Sequence, residues 1–301
     1  MIYDIIVIGG GPAGLTSALY AKRANKSVLV IEKAAYGGQI TYSPKVENIP
    51  GFTAVSGNEF AEKLVEQVVE QGAELEFCEV LSVDDGEIKT VHTDGGDFQA
   101  KALVIATGAK HRRLNLEGEE KFIGDGISFC AVCDGAFYKD QVVGVVGGGN
   151  SALQEAILLS DLCKKVYVIQ NLDKLTGEGK LQEQLKTKKN VEIILSTVVT
   201  GYLGEETFKG VKMLSSDGVE KTLDLDGLFV AIGLIPQNGI FKNLLTLNEY
   251  GYAVSGEDCK GFANGVFVAG DCRTKRIRQV ATAMSDGAIA ALSACDYVDS
   301  L

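Results

Sequence analysis

The sequence predicts an α/β protein built of two Rossmann-like dinucleotide-binding domains, the second inserted into the first. Two glycine-rich turns, at residues 9–14 and 147–152, each follow a short apolar strand and open a helix. Two near-identical strand endings, at 103–108 and 228–233, close the two units. A last strand at 265–271 completes the first unit after the second has ended.

The first unit reads strand, turn, helix, strand. Asp4-Ile5-Ile6-Val7-Ile8 is a short run with β-branched bias. Gly9-Gly10-Gly11-Pro12-Ala13-Gly14 follows as G-x-G-x-x-G. Glycines there admit a pyrophosphate to the backbone and let the helix lie close on the strand. The helix start offers unpaired N–H groups to that anion. A small-residue helix is expected over 15–24 and a strand over 27–31. Glu32 stands 23 residues after Gly9, where an acid accepts the hydroxyls of an adenosine ribose. Residues 58–72 read as an amphipathic helix with Phe60, Leu64, Val65, Val68 and Val69 on one stripe.

The unit returns from Gln141. Residues 142–146 are its strand and Gly147-Gly148-Gly149-Asn150-Ser151-Ala152 its G-x-G-x-x-A turn. A helix is expected over 151–162 and a strand over 166–169, and Gln170 follows Gly147 by the same 23 residues. Hairpin-like alternation then leads to the paired endings Ala106-Thr107-Gly108 and Ala231-Ile232-Gly233. Two such folds imply two dinucleotides, the obvious pair being a tightly held FAD and an exchangeable nicotinamide. The expected bounds are 1–113 and 244–301 for the FAD domain and 114–243 for the inserted one. Two thin crossings, near 112–117 and 241–245, permit hinge rotation. Gly270-Asp271 ends the last strand; the Asp accepts from a ribityl hydroxyl or caps the helix expected over 281–297. Just beyond it, Lys275 and Arg276 read as solvated side chains, with a place near flavin or partner as the alternative.

Composition narrows the function. With 29 basic and 40 acidic residues the net charge is −11, which argues against nucleic acid and anionic membranes. Apolar residues make up 46% of the chain, enough for a sizeable core. Apolar runs fall far short of the ~18 residues a membrane span needs. No basic leader or small-residue cleavage site precedes the first strand, so a cytoplasmic protein is expected. Seven cysteines, an odd number, suit thiols in a reducing compartment. Cys78, Cys163, Cys259, Cys272 and Cys295 are scattered singly and read as core.

Cys130-Ala131-Val132-Cys133 breaks that pattern. A C-x-x-C pair suits reversible disulfide formation. The rival is structural zinc, but that needs four ligands, and the two histidines, His92 and His111, are not near the pair in sequence. No metal is expected. Thiol exchange also needs a proton donor. Asp134 follows Cys133 directly and either serves as that acid or caps a helix.

On these residues the chain resembles the low-molecular-weight, bacterial-type thioredoxin reductases over essentially its whole length. The most specific stretch is Cys130-Ala131-Val132-Cys133-Asp134-Gly135. Gly37-Gly38-Gln39, Val46-Glu47-Asn48-Ile49-Pro50-Gly51, Ala106-Thr107-Gly108-Ala109, Gly270-Asp271 and Arg278-Gln279 are also similar. The resemblance implies a homodimeric FAD enzyme with a redox disulfide in its pyridine-nucleotide domain and a thioredoxin-like protein as partner. It places Gly38, Gln39, Asn48, Asp271 and Gln279 against the flavin cofactor. With Gly9, Gly11, Pro12, Ala13, Gly14, Glu32, Lys33, Thr107, Gly108, Gly270, Arg278 and Val280 these form the candidate FAD set. Gly147, Gly149, Asn150, Ser151, Ala152, Gln170, Asn171, Ile232 and Gly233 form the candidate NAD(P) set. It also implies that Cys133 faces the flavin, that Cys130 attacks the partner disulfide, and that Asp134 protonates the leaving thiolate. The inserted domain would then rotate between half-reactions, since the nicotinamide and the cysteines need the same ring.

The chain departs from that family at two places. The family grips the NADPH 2′-phosphate with His-Arg-Arg and a further Arg. Here the run is Gln170-Asn171-Leu172-Asp173-Lys174-Leu175-Thr176, without any of the three arginines. No acid replaces them, and Lys174 or Lys180 supplies at most a weak substitute charge. Each charge-assisted hydrogen bond is worth about 1.5–3 kcal/mol, so NADH, or an unselective NAD(P)H enzyme, is expected. Near the cysteines, Asp125 stands where a basic residue helps dock thioredoxin, and Ala136 where an aromatic is common. Three other functions fit parts of the pattern: a ferredoxin-dependent reductase, a small-molecule dithiol oxidase on the same fold, and a flavin-containing nucleotide sensor.

Overall fold

Ile5 and Val7 turn to one face of a parallel sheet, and Ile6 and Ile8 to the other, so the strand is apolar throughout. The computed structural model that places them describes residues 1–43 and 45–301. The chain forms two compact units, Met1–Lys110 with Ile235–Leu301, and His111–Leu234.

In the first unit the parallel strands run Glu74–Phe77, Val28–Glu32, Ile2–Ile8 and Gly96–Ile105. Val266–Val268 adds in parallel at the end of Gly96–Ile105, while Lys89–Thr93 and Val80–Asp84 extend its other end antiparallel. Helices Pro12–Arg23 and Val280–Asp299 cover one face, burying Leu15, Ala18, Ala290 and Ala294 with Ile5 and Val7. Their approach is close because Gly287 faces the Ala13 carbonyl, where any side chain would collide. Ser17 ties the pair by donating to the Gly287 and Ala13 carbonyls at 3.0 and 2.9 Å.

The second unit repeats the plan. Val191–Ile194, Lys165–Ile169, Val142–Val146, Gly227–Val230 and Ile127–Ser128 form a parallel sheet in that order. Thr197–Leu203, Gly210–Ser215 and Glu220–Asp224 form the antiparallel layer. Helix Asn150–Ser160 lies on Val143 and Val145. Among the described residues, no helix is long and apolar enough to cross a membrane.

Three expectations need correction. The chain returns to the first unit at residues 234–235, not near 241–245. Phe241, Leu244 and Leu245 are already buried there beside Ile6, Ile8 and Leu103. The amphipathic helix runs Gly57–Glu70, with Ser56 capping the Glu59 N–H. It buries Phe60, Leu64 and Val68, four residues apart, but Val69 lies a further 100° round and is 49% exposed. The third correction concerns Lys275 and belongs to the site.

Candidate functional site

In the first unit Gly9, Gly11, Gly14, Gly38 and Gly270 of the predicted FAD residues gather at the start of helix Pro12–Arg23. Gly9 (φ +111°) lies under the Ala106 carbonyl, and Gly14 under the Gly9 carbonyl, so neither position admits a side chain. Gly11 is different: a methyl there would find only the Gly37 oxygen, 3.9 Å away. That opening faces a helix end with no side-chain cap and no acid in its first turn. The backbone N–H groups are left for an outside anion. Pro12 begins the helix, and Ala13 backs Gly270. Gly38 sits over Gly11, and the Gly37 N–H donates to the Gly10 carbonyl at 2.8 Å.

Glu32 ends its strand with Oε2 accepting the Gly10 N–H at 2.7 Å and Oε1 the Ala34 N–H at 2.9 Å. The acid is thereby fixed beside the Gly9–Gly14 turn. Lys33 pairs instead with Glu79 on the surface. The Gln39 amide donates to the Ala109 carbonyl. Asn48 Nδ2 reaches Gln279 Oε1 at 3.1 Å, joining two candidates 231 residues apart. Thr107 meets the buried Asn238 at 3.3 Å, and Gly108 (φ +65°) has open space where a side chain would be.

Asp271 is the test of whether a flavin cofactor fits. Its Oδ1 is buried without a hydrogen-bond partner, and burial holds its carboxyl above the ordinary range, with Lys275 and Arg278 pulling the other way. An acceptor left in that state calls for a donor from outside the chain, as a ribityl hydroxyl is. The capping alternative finds no support, because Gln279 and Thr282 form the capping box ahead of Val280. Arg278 stacks on Tyr252, its guanidinium 4.3 Å from the ring centre.

Lys275 corrects the expectation of a solvated side chain. It is buried and donates to Asp286 Oδ2 at 2.8 Å. Arg273 grips the same carboxylate with both Nε and Nη2, at 2.8 and 2.7 Å, and Asp286 also accepts the Gly270 N–H at 3.0 Å. This cluster holds the turn that carries Asp271. Arg276 is exposed, as expected. Asp286 went unremarked in the sequence, although it is the one acid in the first half of the alanine-rich helix Val280–Asp299.

In the second unit, Gly147 (φ +131°) lies under the Ala231 carbonyl, and Gly149 opens helix Asn150–Ser160, again uncapped. Ala152 is fully buried, while Asn150 and Ser151 are exposed. Gln170 is buried, packs directly on Gly148 and donates to the Lys174 carbonyl at 3.3 Å. Asn171, Lys174 and Lys180 are exposed. The loop after Gln170 folds back, with Thr176 and Gly177 N–H groups donating to the Gly148 carbonyl at 2.8 and 2.9 Å. Glu178 closes it by accepting from Asn150 Nδ2 at 2.9 Å. The side chain fixed to this turn is thus a carboxylate, not a guanidinium. Ile232 and Gly233 follow the neighbouring strand, and the Gly233 carbonyl accepts the Arg112 N–H at 2.9 Å.

Cys130 and Cys133 are joined by a disulfide, their Cα atoms 5.3 Å apart. Both are half-buried, and Val132 between them is 62% exposed. The Cys133 N–H donates to Cys130 Sγ at 3.2 Å, which favours negative charge on that sulfur. Asp134 does not cap a helix with its side chain. Its Oδ2 accepts from the Ser128 hydroxyl at 2.6 Å, and its Oδ1 is buried and unpartnered. Burial raises its pKa, with Ser128 opposing. Ser128 also accepts the Cys130 N–H at 3.1 Å. It sits at the carboxyl end of its strand, where open α/β sheets place reactive groups. Nothing marked it in the sequence beyond standing two residues before Cys130. The other five cysteines are free and buried.

Comparison with known proteins bears on the whole chain. The family model described as pyridine nucleotide-disulphide oxidoreductase matches residues 3–287. A thioredoxin reductase of Listeria monocytogenes is 40% identical over 303 residues, all of this chain and 95% of that protein. One from Bacillus subtilis is 39% identical over 304 residues, again all of this chain and 96% of the relative. The crystal structure of thioredoxin reductase from Streptococcus pyogenes superimposes with a TM-score of 0.95 at 38% identity, covering 100% of this chain and 99% of that one.

Proposed function

The chain belongs to the pyridine nucleotide-disulphide oxidoreductase family, and from that premise we propose that it is a thioredoxin reductase driven by NADH, or by NADH and NADPH without discrimination. The observation that carries this reading is the Cys130–Cys133 disulfide backed by the buried Asp134 carboxyl. The Gly9–Gly14 turn, Glu32, Gly38, Gln39, Asn48, Asp271 and Gln279 would hold FAD. Bound there, FAD supplies two-electron transfer between a nicotinamide and the disulfide.

The reduced cysteines do the rest. Cys130 Sγ, steadied as thiolate by the Cys133 N–H, attacks a disulfide of the partner protein. A bond from Cys130 to one partner sulfur forms as the partner S–S bond breaks. Asp134 gives its proton to the departing thiolate. Cys133 then attacks Cys130 Sγ, releases the second partner sulfur and restores the Cys130–Cys133 bond. Exposed Val132 offers the partner an apolar contact beside the reacting sulfur.

Gln170 and the turn after it support the nucleotide reading. A neutral amide packs on Gly148 and Glu178 closes the loop, so a 2′-phosphate finds no guanidinium there and a carboxylate nearby. Buried free thiols suit a cytoplasmic location. The net charge of −11 argues against nucleic acid as a partner, and the resemblance implies a homodimer. Steady-state assay with thioredoxin tests the function: nicotinamide oxidation is expected to depend on the protein disulfide. Oxidation indifferent to thioredoxin, or none with either nucleotide, contradicts it.

A further inference from the structure

Glu155 lies on helix Asn150–Ser160, against which Ala131–Asp134 rests. Its Oε2 is buried without a hydrogen-bond partner, as is Asp134 Oδ1. The Ala131 N–H is directed at its carboxyl. The other elements packed on this helix face it with apolar side chains: Val143 and Val145 from the strand beneath, and Leu181 and Leu185 from helix Gly179–Lys186. Lys165 pairs with Glu192 instead. Among the described residues, Asp134 is the ionisable group whose charge bears on Glu155, and the same charge helps raise the pKa of Tyr138.

We propose that Glu155 is a positioning residue that stores a proton behind the Cys130–Cys133 pair and acts through Asp134, keeping that acid ready to donate. This rests on the redox role proposed above for the two cysteines. Reducing the disulfide breaks one S–S bond and takes up two electrons and two protons. A hydride from the reduced nicotinamide brings both electrons and one proton, so one more proton must come from elsewhere. Asp134 passes it to a cysteine thiolate, Glu155 passes its own to Asp134, and water reprotonates Glu155. Two neighbouring buried carboxyls do not both ionise cheaply, so the pair keeps a proton between them. Burial raises Glu155 to about 8, which leaves it protonated at neutral pH.

Glu155→Gln keeps the shape and removes the titrating proton. The pH dependence of kcat/KM for thioredoxin, from about pH 6 to about pH 10, is the readout, alongside stopped-flow flavin reduction by NADH. The wild-type profile is expected to fall through an apparent pKa near 8. In E155Q that limb should move down by at least about one pH unit, with turnover about tenfold lower at pH 8 and flavin reduction within about twofold of wild type. A limb in the same place, or equal losses in both half-reactions, overturns the proposal. A wild type that reduces no disulfide refutes the proposed function instead. Should E155Q fail to fold, infrared spectra of the wild type and of Asp134→Asn decide. A protonated carboxyl band titrating near pH 8 in both supports the proposal, and its absence overturns it.

Discussion

Ser128 anchors Asp134: its hydroxyl donates to Asp134 Oδ2 at 2.6 Å, while Ser128 Oγ itself accepts the Cys130 N–H at 3.1 Å. One side chain therefore fixes both the proposed acid and the backbone of the proposed nucleophile. Removing it as Ser128→Ala deletes a hydrogen bond that favours the charged form of Asp134. The Asp134 pKa then rises further, so the alkaline limb of disulfide turnover should shift to higher pH. A fall of about tenfold in kcat/KM for thioredoxin is expected from the lost placement, at about 1–1.5 kcal/mol. An unmoved pH profile in S128A would argue that Asp134 is not the acid.

Cys133→Ser should abolish disulfide turnover while the protein keeps its FAD. Cys130→Ser should do the same, because exchange needs both sulfurs. Absorbance of the bound flavin and thioredoxin reduction, measured on the same sample, check this. Surviving turnover in either variant would contradict the assigned route.

Asp271 and Asp286 should separate by what they lose. Asp271→Ala removes the unpartnered acceptor, so the folded protein should purify with FAD occupancy reduced about tenfold or more, for the loss of a hydrogen bond to a charged group. Asp286→Ala leaves Arg273 and Lys275 buried without their shared carboxylate. That should cost about 3–5 kcal/mol of stability. Flavin content and urea denaturation of the two variants distinguish them.

Much of this was legible in the sequence because two glycine-rich turns carry their own mechanics. Gly9, Gly14 and Gly147 stand where a side chain would strike a carbonyl, and the strand-turn-helix order around them is written twice. The Cys130–Cys133 pair was legible because C-x-x-C suits a reversible disulfide and no further zinc ligands stand near it in sequence, whereas Asp134 was left between an acid and a helix cap. Ser128, Asp286 and Glu155 were not legible. Each acts through a neighbour far away in sequence or hidden by burial, and neither composition nor periodicity reports a buried oxygen without a partner. Lys275 was misread as solvated because its partner lies eleven residues on, across a turn.

The nucleotide preference is open to gain of function. Asn171→Arg with Leu172→Arg and Thr176→Arg restores three guanidinium groups around the turn. NADPH kcat/KM should rise by about tenfold or more, from at least one charge-assisted hydrogen bond. Wild type should prefer NADPH by no more than tenfold, and a larger preference would refute the reading of Gln170.

Glu155 also predicts a stability trend. Its folded pKa, about 8, lies above the ordinary 4.5. The folded chain then holds an extra proton between those values, so this contribution is full below about pH 4.5 and is lost as pH rises through 8. Stability should decline by up to about 1.4 kcal/mol per pH unit across that window, and E155Q should flatten the decline. Urea denaturation at several pH values measures both.

The most direct test is anaerobic. Purified protein is mixed with NADH and, in parallel, with NADPH, the flavin absorbance is followed, and oxidised thioredoxin is then added. Bleaching by NADH no more than tenfold slower than by NADPH, followed by return of the colour as the thioredoxin disulfide is reduced, is the expected result. A protein without bound flavin, or a bleached flavin that thioredoxin fails to reoxidise, would contradict it.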